Sequence, residues 1–178
     1  MFKFAALSAI ALAAGLATAA HADDTTGYYK VGYSNTDLSK SSKSFNGLTL
    51  GASFQVWKFV SLEGSFDTGV GDNTSGSGVN RTKYELDHQV AATLVASHAV
   101  SNGFEIQGRL GFMQTKITTK TPTAGASDHS VSGPSLGVGL NYFPHDSKAG
   151  VALTWDHADF SKTAGNNDIV RIAYIHKY

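Results

Sequence analysis

The chain has no cysteine and only three prolines among its 178 residues. Without cysteine it cannot form disulfide bonds, thiolate metal sites or a cysteine nucleophile. Its charge is sparse and balanced, with 14 basic and 14 acidic residues, so no net charge attracts it to nucleic acid. After the first 20 residues, no apolar run approaches the roughly 20 residues of a membrane-spanning helix. A soluble all-β domain and a membrane β-barrel both fit this composition.

The first residues have the pattern of an export signal. Lys3 precedes an apolar stretch over residues 4–16, and Ala20-His21-Ala22 offers small residues at a cleavage site. This order predicts a secretory signal peptide over residues 1–22 and leaves residues 23–178 as one domain. A membrane anchor is the alternative, but the apolar stretch is short and ends at a cleavable site.

The mature chain is dominated by alternation of apolar and polar residues, which is typical of β-strands. Eight stretches alternate in this way: 29–34, 48–56, 60–67, 84–94, 104–113, 135–142, 151–156 and 170–178. An even number of strands is typical of bacterial outer-membrane barrels, whose strands cross the bilayer in roughly 9–11 residues.

The connections between these stretches alternate in length. We expect long polar loops at 37–44, 69–81, 118–131 and 161–167, and short turns at 57–58, 97–103 and 143–148. With both termini on the inner side, all long loops fall on the outer side, as in outer-membrane barrels. The pattern predicts an all-β fold: an eight-stranded antiparallel up-and-down transmembrane β-barrel preceded by the cleavable signal peptide.

Alternation alone also fits a soluble lipocalin-like barrel, which is apolar inside. The polar face here is rich in Gly, Ser, Thr and Ala, which suit the narrow interior of an eight-stranded barrel. Aromatic residues gather near the ends of the stretches, as interfacial girdles do. Both features favour the membrane barrel.

Several segments resemble one known family. They are GYYKVGYS at 27–34, GLTLGASFQVWKFVSLEGSFD at 47–67, FEIQGRLGFMQTK at 104–116, GPSLGVGLNYF at 133–143 and NDIVRIAYIHKY at 167–178. Together they resemble the small eight-stranded outer-membrane barrels, such as the OmpA-type transmembrane domain and OmpX.

The resemblance implies an integral protein of the bacterial outer membrane that contacts membrane lipid, lipopolysaccharide and the assembly machinery. The closing strand is similar to the assembly signal of that family, carried here by Val170, Ile172, Tyr174 and Tyr178. His176 departs from the apolar residue usual at its position.

The polar face carries charges of both signs. We expect the following side chains to form a network of ion pairs inside the barrel: Lys30, Glu63, Asp67, Glu85, Asp87, Glu105, Arg109, Asp156, Arg171 and Lys177. The interior of an eight-stranded barrel is filled by side chains, and buried charges must be paired. A filled interior is therefore favoured over a conducting pore or an acid–base site.

The expected long loops and their borders contain seven basic residues. They are Lys40, Lys43, Arg81, Lys83, Lys116, Lys120 and Lys162. Either they contact lipopolysaccharide phosphates or they belong to a mixed, solvated surface.

Enzymatic chemistry has little support in the sequence. Some eight-stranded barrels that remove acyl chains from lipid A carry His-x-Ser on a late strand and an acidic partner on the last strand. Here the stretch reads Asp156-His157-Ala158, and the last strand offers Arg171. Alternation also turns His157 outward. We therefore expect no catalytic residue, no metal site and no cofactor.

The predicted role is non-enzymatic: envelope integrity, or surface interaction through loops that contact lipopolysaccharide, an envelope protein or a host surface. The alternatives are a narrow channel for ions or small solutes and a soluble lipocalin-like binder in the periplasm.

Overall fold

The computed structural model describes residues 27–39, 43–76, 81–122, 125–144, 147–160 and 165–178. The predicted signal peptide lies outside these residues. The strands are β1 (Gly27–Leu38), β2 (Lys43–Trp57), β3 (Val60–Gly69), β4 (Asn73–Ser75), β5 (Thr82–Ser101), β6 (Phe104–Thr121), β7 (Gly125–Tyr142), β8 (Ala149–Phe160) and β9 (Gly165–Lys177). Within this described part, no helix is long and apolar enough to cross a membrane.

Every strand pairs antiparallel with its neighbours, and the sheet closes on itself. β1 pairs with both β2 and β9, while β3 pairs with β5. The short strand β4 lies in the β3–β5 connection and pairs only with the start of β5. Eight strands therefore form the barrel wall, as the alternation predicts. Closure gives every wall strand a partner on both sides along the outward apolar band, which lipid requires.

The apolar side chains point out of the barrel. Leu110, Leu136 and Ile172 expose 59%, 65% and 55% of their surface, whereas the inward Arg171 exposes 2%. This arrangement is the reverse of a lipocalin-like soluble barrel, in which the apolar face lines the interior. The sequence-based choice of the membrane barrel is confirmed, and the outward apolar band is the surface that lipid covers.

The wall is much taller on one side than on the other. β5, β6 and β7 have 20, 18 and 18 residues, about twice what the bilayer needs. Above Phe112 and Pro134 the outward positions become polar or charged, beginning at Gln114 and Ser132. These strands therefore extend out of the membrane as a protruding sheet, which we define as residues 82–88, 114–121 and 125–132.

The predicted long loop over residues 118–131 is wrong. β6 continues to Thr121 and β7 begins at Gly125, so most of this segment is strand. Hydroxyl and charged side chains are compatible with a strand when both faces of the sheet meet water. The predicted turn at 97–103 is also shorter, because β5 ends at Ser101 and β6 begins at Phe104.

The outward apolar band generates a stability test. Leu110→Arg places a charge among lipid-facing residues in the middle of the band and should destabilise the barrel by about 2–4 kcal/mol. The control Gln114→Arg lies at the border of the band on the same outward face of β6 and should cost about 0–1 kcal/mol. Reversible denaturant unfolding in lipid vesicles measures both values. Equal effects of the two substitutions would contradict the proposed position of the band.

Candidate functional site

The centre of the barrel interior is occupied by a carboxylate with three donors. Glu63 on β3 accepts hydrogen bonds from Tyr28 Oη at 2.6 Å, Lys30 Nζ at 2.7 Å and Arg109 Nη2 at 2.8 Å. Lys30, Glu63 and Arg109 are all buried. Because β1, β3 and β6 contribute these groups, the contacts tie together strands that are far apart along the chain.

The network continues through a second carboxylate to a third. Asp156 on β8 accepts from Arg109 Nε at 2.8 Å and from Arg171 Nη1 at 2.6 Å. Arg171 on β9 also donates to Asp67 on β3, with Nη2 2.8 Å from Oδ2. Three carboxylates thus face three cations, and the buried charge sums to zero. Paired and hydrogen-bonded charges are the form in which ions are tolerated away from water.

A glycine makes room for this network on the neighbouring wall. A Cβ at Gly137 would lie 2.2 Å from Oδ1 of Asp156, a distance that no real side chain tolerates. Gly137 is the cross-strand partner of Asp156. The absence of a side chain at Gly137 on the inward face of β7 therefore leaves space for the Asp156 carboxylate, which contacts both arginines.

Apolar clusters lie above and below the ionic network. Tyr28, Phe143, Ala152 and Ile175 pack together at the periplasmic end. Towards the outer side, a second cluster comprises Met113, Ala158, Phe160 and Ile169, and a third comprises Leu38, Phe45 and Leu86. The interior is thus filled by one ionic layer and three apolar clusters, an arrangement suited to a rigid plug.

The structure brings together six of the ten residues predicted for the interior network. They are Lys30, Glu63, Asp67, Arg109, Asp156 and Arg171. Glu105 and Lys177 form a separate ion pair at the periplasmic end. Sequence reasoning missed Tyr28, although the alternation of β1 would have placed it inward with Lys30.

The inward placement of Glu85 and Asp87 is wrong. The register of β5 against β6 shifts between Leu86 and His88, so the chain has a bulge at Asp87. Leu86 points inward and packs with Leu38, which turns Glu85 outward. Glu85 instead pairs with Lys83 and Lys120 on the protruding sheet.

The outer face of the protruding sheet contains a second charged group. Lys116 lies 3.1 Å from Asp87 and 3.0 Å from Asp128. Hydrogen bonds from Lys120 and Lys83 lower the pKa of Glu85, and a hydrogen bond from Lys116 lowers the pKa of Asp128. Both carboxylates stay charged well into acid solution, so these cross-strand pairs are lost only as the pH falls through the lowered pKa values.

The seven basic residues predicted to contact lipopolysaccharide are in different situations. Lys83, Lys116 and Lys120 are paired with carboxylates of the same chain. Lys43 lies 5.6 Å from the centre of the Tyr84 ring. Arg81 is exposed and has no ion pair within the described residues. Lys40 and Lys162 lie outside the described residues. A contact with lipopolysaccharide stays a prediction.

His157 has an acidic partner on the last strand, which the sequence reasoning missed. Its Nδ1 lies 2.9 Å from Oδ1 of Asp168, the cross-strand neighbour on β9. His157 faces outward and Asp156 inward, as the alternation predicts. Asp159 stands two residues after His157, where a His-x-Ser pattern has its serine, and carries no hydroxyl nucleophile. The pair therefore lacks the group that acyl transfer requires.

The closing strand joins the barrel at its seam. Val170, Ile172 and Tyr174 point outward, as expected for the assembly signal. Tyr178 reaches over β1, where its hydroxyl donates to the carbonyl of Ser53 on β2 at 2.8 Å. Its backbone N–H donates to the carbonyl of Gly27. Tyr178 thus holds the β9–β1–β2 seam; its recognition during assembly stays a prediction.

Comparison with known proteins identifies the family of this barrel. The model of the outer-membrane protein β-barrel domain matches residues 4–174. The chain belongs to this family. It is therefore an outer-membrane protein of bacteria, as the sequence resemblance implies. No curated protein sequence matches this outer-membrane barrel.

Several solved structures share the fold of this outer-membrane barrel. Ail, the attachment invasion locus protein of Yersinia pestis, solved with the heparin analogue sucrose octasulfate, has a TM-score of 0.65 and 12% identity, covering 86% of this chain and 99% of Ail. OprG of Pseudomonas aeruginosa has a TM-score of 0.59 and 11% identity, covering 86% and 96%. The N-terminal barrel domain of OprF from Pseudomonas aeruginosa has a TM-score of 0.57 and 10% identity, covering 87% and 100%. At these identities the likeness establishes the fold.

The ionic network predicts a large effect of removing one charge. Arg171→Leu should destabilise the barrel by about 3–5 kcal/mol, because Asp67 and Asp156 each lose a buried partner. Ile172→Leu, on the adjacent outward position, conserves volume and polarity and should cost less than about 1.5 kcal/mol. Denaturant unfolding in vesicles gives both numbers. A stabilised Arg171→Leu barrel would mean that Arg171 faces lipid and that the register of β9 is inverted.

The two roles of Tyr178 can be separated by two variants. Tyr178→Phe keeps an aromatic side chain but loses the hydrogen bond to Ser53, so stability should fall by about 0.5–1.5 kcal/mol while the assembled fraction stays normal. Deletion of Tyr178 should lower the assembled fraction in the outer membrane without affecting export. Tyr29→Phe is the control, because the Tyr29 ring stacks on His176 and its hydroxyl makes no hydrogen bond within the described residues. If the deletion leaves the assembled fraction unchanged, Tyr178 has no role in assembly.

Proposed function

We propose that this protein is a non-conducting, non-enzymatic surface protein that anchors a rigid sheet outside the membrane for contact with other molecules. The observation that carries the proposal is the one-sided extension of β5, β6 and β7 well beyond the length that a bilayer needs. An integral protein that only sealed or braced the membrane would not need this extension.

The filled interior supports an anchoring role over transport. The neutral ionic network spans the interior, with apolar clusters on both sides. Its members are Lys30, Glu63, Asp67, Arg109, Asp156 and Arg171. Moving an ion through would require breaking buried ion pairs, which typically costs several kcal/mol for each uncompensated charge. The interior therefore favours a plug over the narrow-channel alternative.

The most available contact region is an open strand edge. β7 pairs with β8 only over Ser135–Tyr142, so the β8 side of residues 125–132 has no partner strand within the described residues. This edge contains no proline or lysine, two residues that commonly protect exposed edges. An extended segment of a partner protein can add to such an edge through backbone hydrogen bonds.

The charges on the sheet favour a protein partner over a polyanion. On the outer face, Lys83, Lys116 and Lys120 already face carboxylates of the same chain. Ail, which shares the fold, was solved with a heparin analogue. Here a sulfated ligand on this face would have to displace the intramolecular carboxylates.

A shortened hairpin tests the proposal. Replacing residues 117–129 by Asn-Gly joins Lys116 to its cross-strand partner Ser130 through a two-residue turn and removes most of the protruding hairpin. We expect the barrel to assemble normally, while adhesion of bacteria expressing it to an epithelial cell layer falls to the level of bacteria without the protein.

A charge variant is the matched control for this experiment. The double variant Lys83→Gln and Lys120→Gln changes the charge of the sheet but keeps its edge, so adhesion should stay near the unmodified level. Loss of adhesion in this variant would favour a charge-based contact instead. Discrete conductance steps of the unmodified protein in planar bilayers would contradict the proposal that the barrel interior does not conduct ions.

A further inference from the structure

The periplasmic end of the barrel contains a pocket that the extracellular proposal leaves unused. Its volume is about 410 Å³, within the range of small-molecule sites. It lies between the β5–β6 turn and the described residues Phe143, Ser147 and Lys148, which follow β7 and precede β8. The lining residues that matter are Val100, Phe104, Glu105, Phe143, Lys148 and Lys177.

The walls of this pocket are held together by backbone hydrogen bonds. The N–H of Phe143 donates to the carbonyl of Gly103 at 2.8 Å, and the N–H of Lys177 donates to the carbonyl of Lys148 at 2.8 Å. Gly103 has φ +85°, and a Cβ there would lie 2.0 Å from the carbonyl oxygen of Phe143. Glycine thus allows the β5–β6 turn to approach the backbone of Phe143 closely, and this part of the pocket is preformed.

Among the described residues, the pocket is lined by two lysines, Lys148 and Lys177, and one carboxylate, Glu105. Lys177 pairs with Glu105, and its Nζ lies 3.9 Å from the centre of the Phe143 ring. Lys148 is exposed and has no carboxylate within ion-pair distance among the described residues. Within the part of the chain that the structure describes, Lys148 is therefore the cation that an anionic group can pair with.

The other wall of the pocket is continuous with the lipid-facing surface. Val100 and Phe104 are exposed, and the Phe104 ring packs against Tyr142 with ring centres 4.6 Å apart. Phe104 and Tyr142 are cross-strand partners at the periplasmic end of the outward apolar band. Aromatic residues in this position mark the depth of the lipid headgroups. The pocket thus combines a cation with an apolar surface at the boundary between lipid and water.

We propose that this pocket binds one acidic phospholipid of the periplasmic leaflet. The lipid phosphate lies against Lys148 and Lys177, and the first acyl-chain carbons lie over Val100 and Phe104. Charge complementarity selects an acidic over a zwitterionic headgroup, because the latter carries its own cation towards the lysines. The proposal does not depend on the function of the protruding sheet.

Native mass spectrometry of the detergent-solubilised barrel tests this site. The probes are phosphatidylglycerol and phosphatidylcholine with identical acyl chains, added at equal concentration. We expect the barrel to retain one phosphatidylglycerol in preference to phosphatidylcholine. A lysine near an acidic lipid contributes about 1 kcal/mol, which corresponds to about a fivefold change in affinity. Lys148→Gln should therefore reduce the preference about fivefold, and Lys148→Glu should abolish it.

Lys58→Gln is the matched control. Lys58 is a periplasmic lysine that lies 5.4 Å from the centre of the Phe59 ring, outside the pocket. Its replacement should leave the preference unchanged. Equal retention of the two lipids by the unmodified barrel would overturn the proposal. Equal loss of preference in Lys148→Gln and Lys58→Gln would also overturn it, because the selectivity would then come from the general charge of the periplasmic surface.

Discussion

Everything in this barrel depends on balancing charge where no water is available. The outward face must be apolar because lipid covers it, so the polar residues of each strand are forced into a narrow interior. Glu63, Asp67 and Asp156 are neutralised there by Lys30, Arg109 and Arg171. Each arginine contacts two carboxylates, whereas Lys30 pairs only with Glu63 and Asp67 only with Arg171 among the described residues. The network takes the place that a hydrophobic core has in a soluble barrel.

This interior also determines where function can lie. In the non-conducting barrel that we propose, ligands bind at the two ends of the barrel and not inside it. The outer end carries the protruding sheet with its open β7 edge. The inner end carries the pocket beside Lys148. The two regions differ in chemistry: the outer one offers backbone hydrogen bonds to a polypeptide, and the inner one offers a cation beside an apolar surface.

The sequence predicted the barrel because lipid imposes a strict alternation on the residues that it touches. The same rule explains the failures. Residues 118–131 lie mostly outside the membrane, where both faces of the sheet are solvated and alternation is not required. The bulge at Asp87 exchanges the inward and outward positions of β5 on its two sides. An alternation of apolar and polar residues in the sequence does not reveal such a bulge. The pairing of His157 with Asp168 depends on the register of β8 against β9, which hydropathy does not encode.

The charged groups that sequence reasoning treated as one set belong to two environments with different energetics. The buried group is weakly screened, so its pairs are costly to break and bind distant strands together. The group on the protruding sheet is exposed, and each of its pairs contributes little to stability. These pairs instead hold neighbouring strands in register. Lys116 on β6 contacts Asp87 on β5 and Asp128 on β7, the strands on either side of it. We therefore expect substitutions in the outer sheet to leave the barrel folded and substitutions in the interior network to destabilise it. This separation would allow one fold to carry different surfaces.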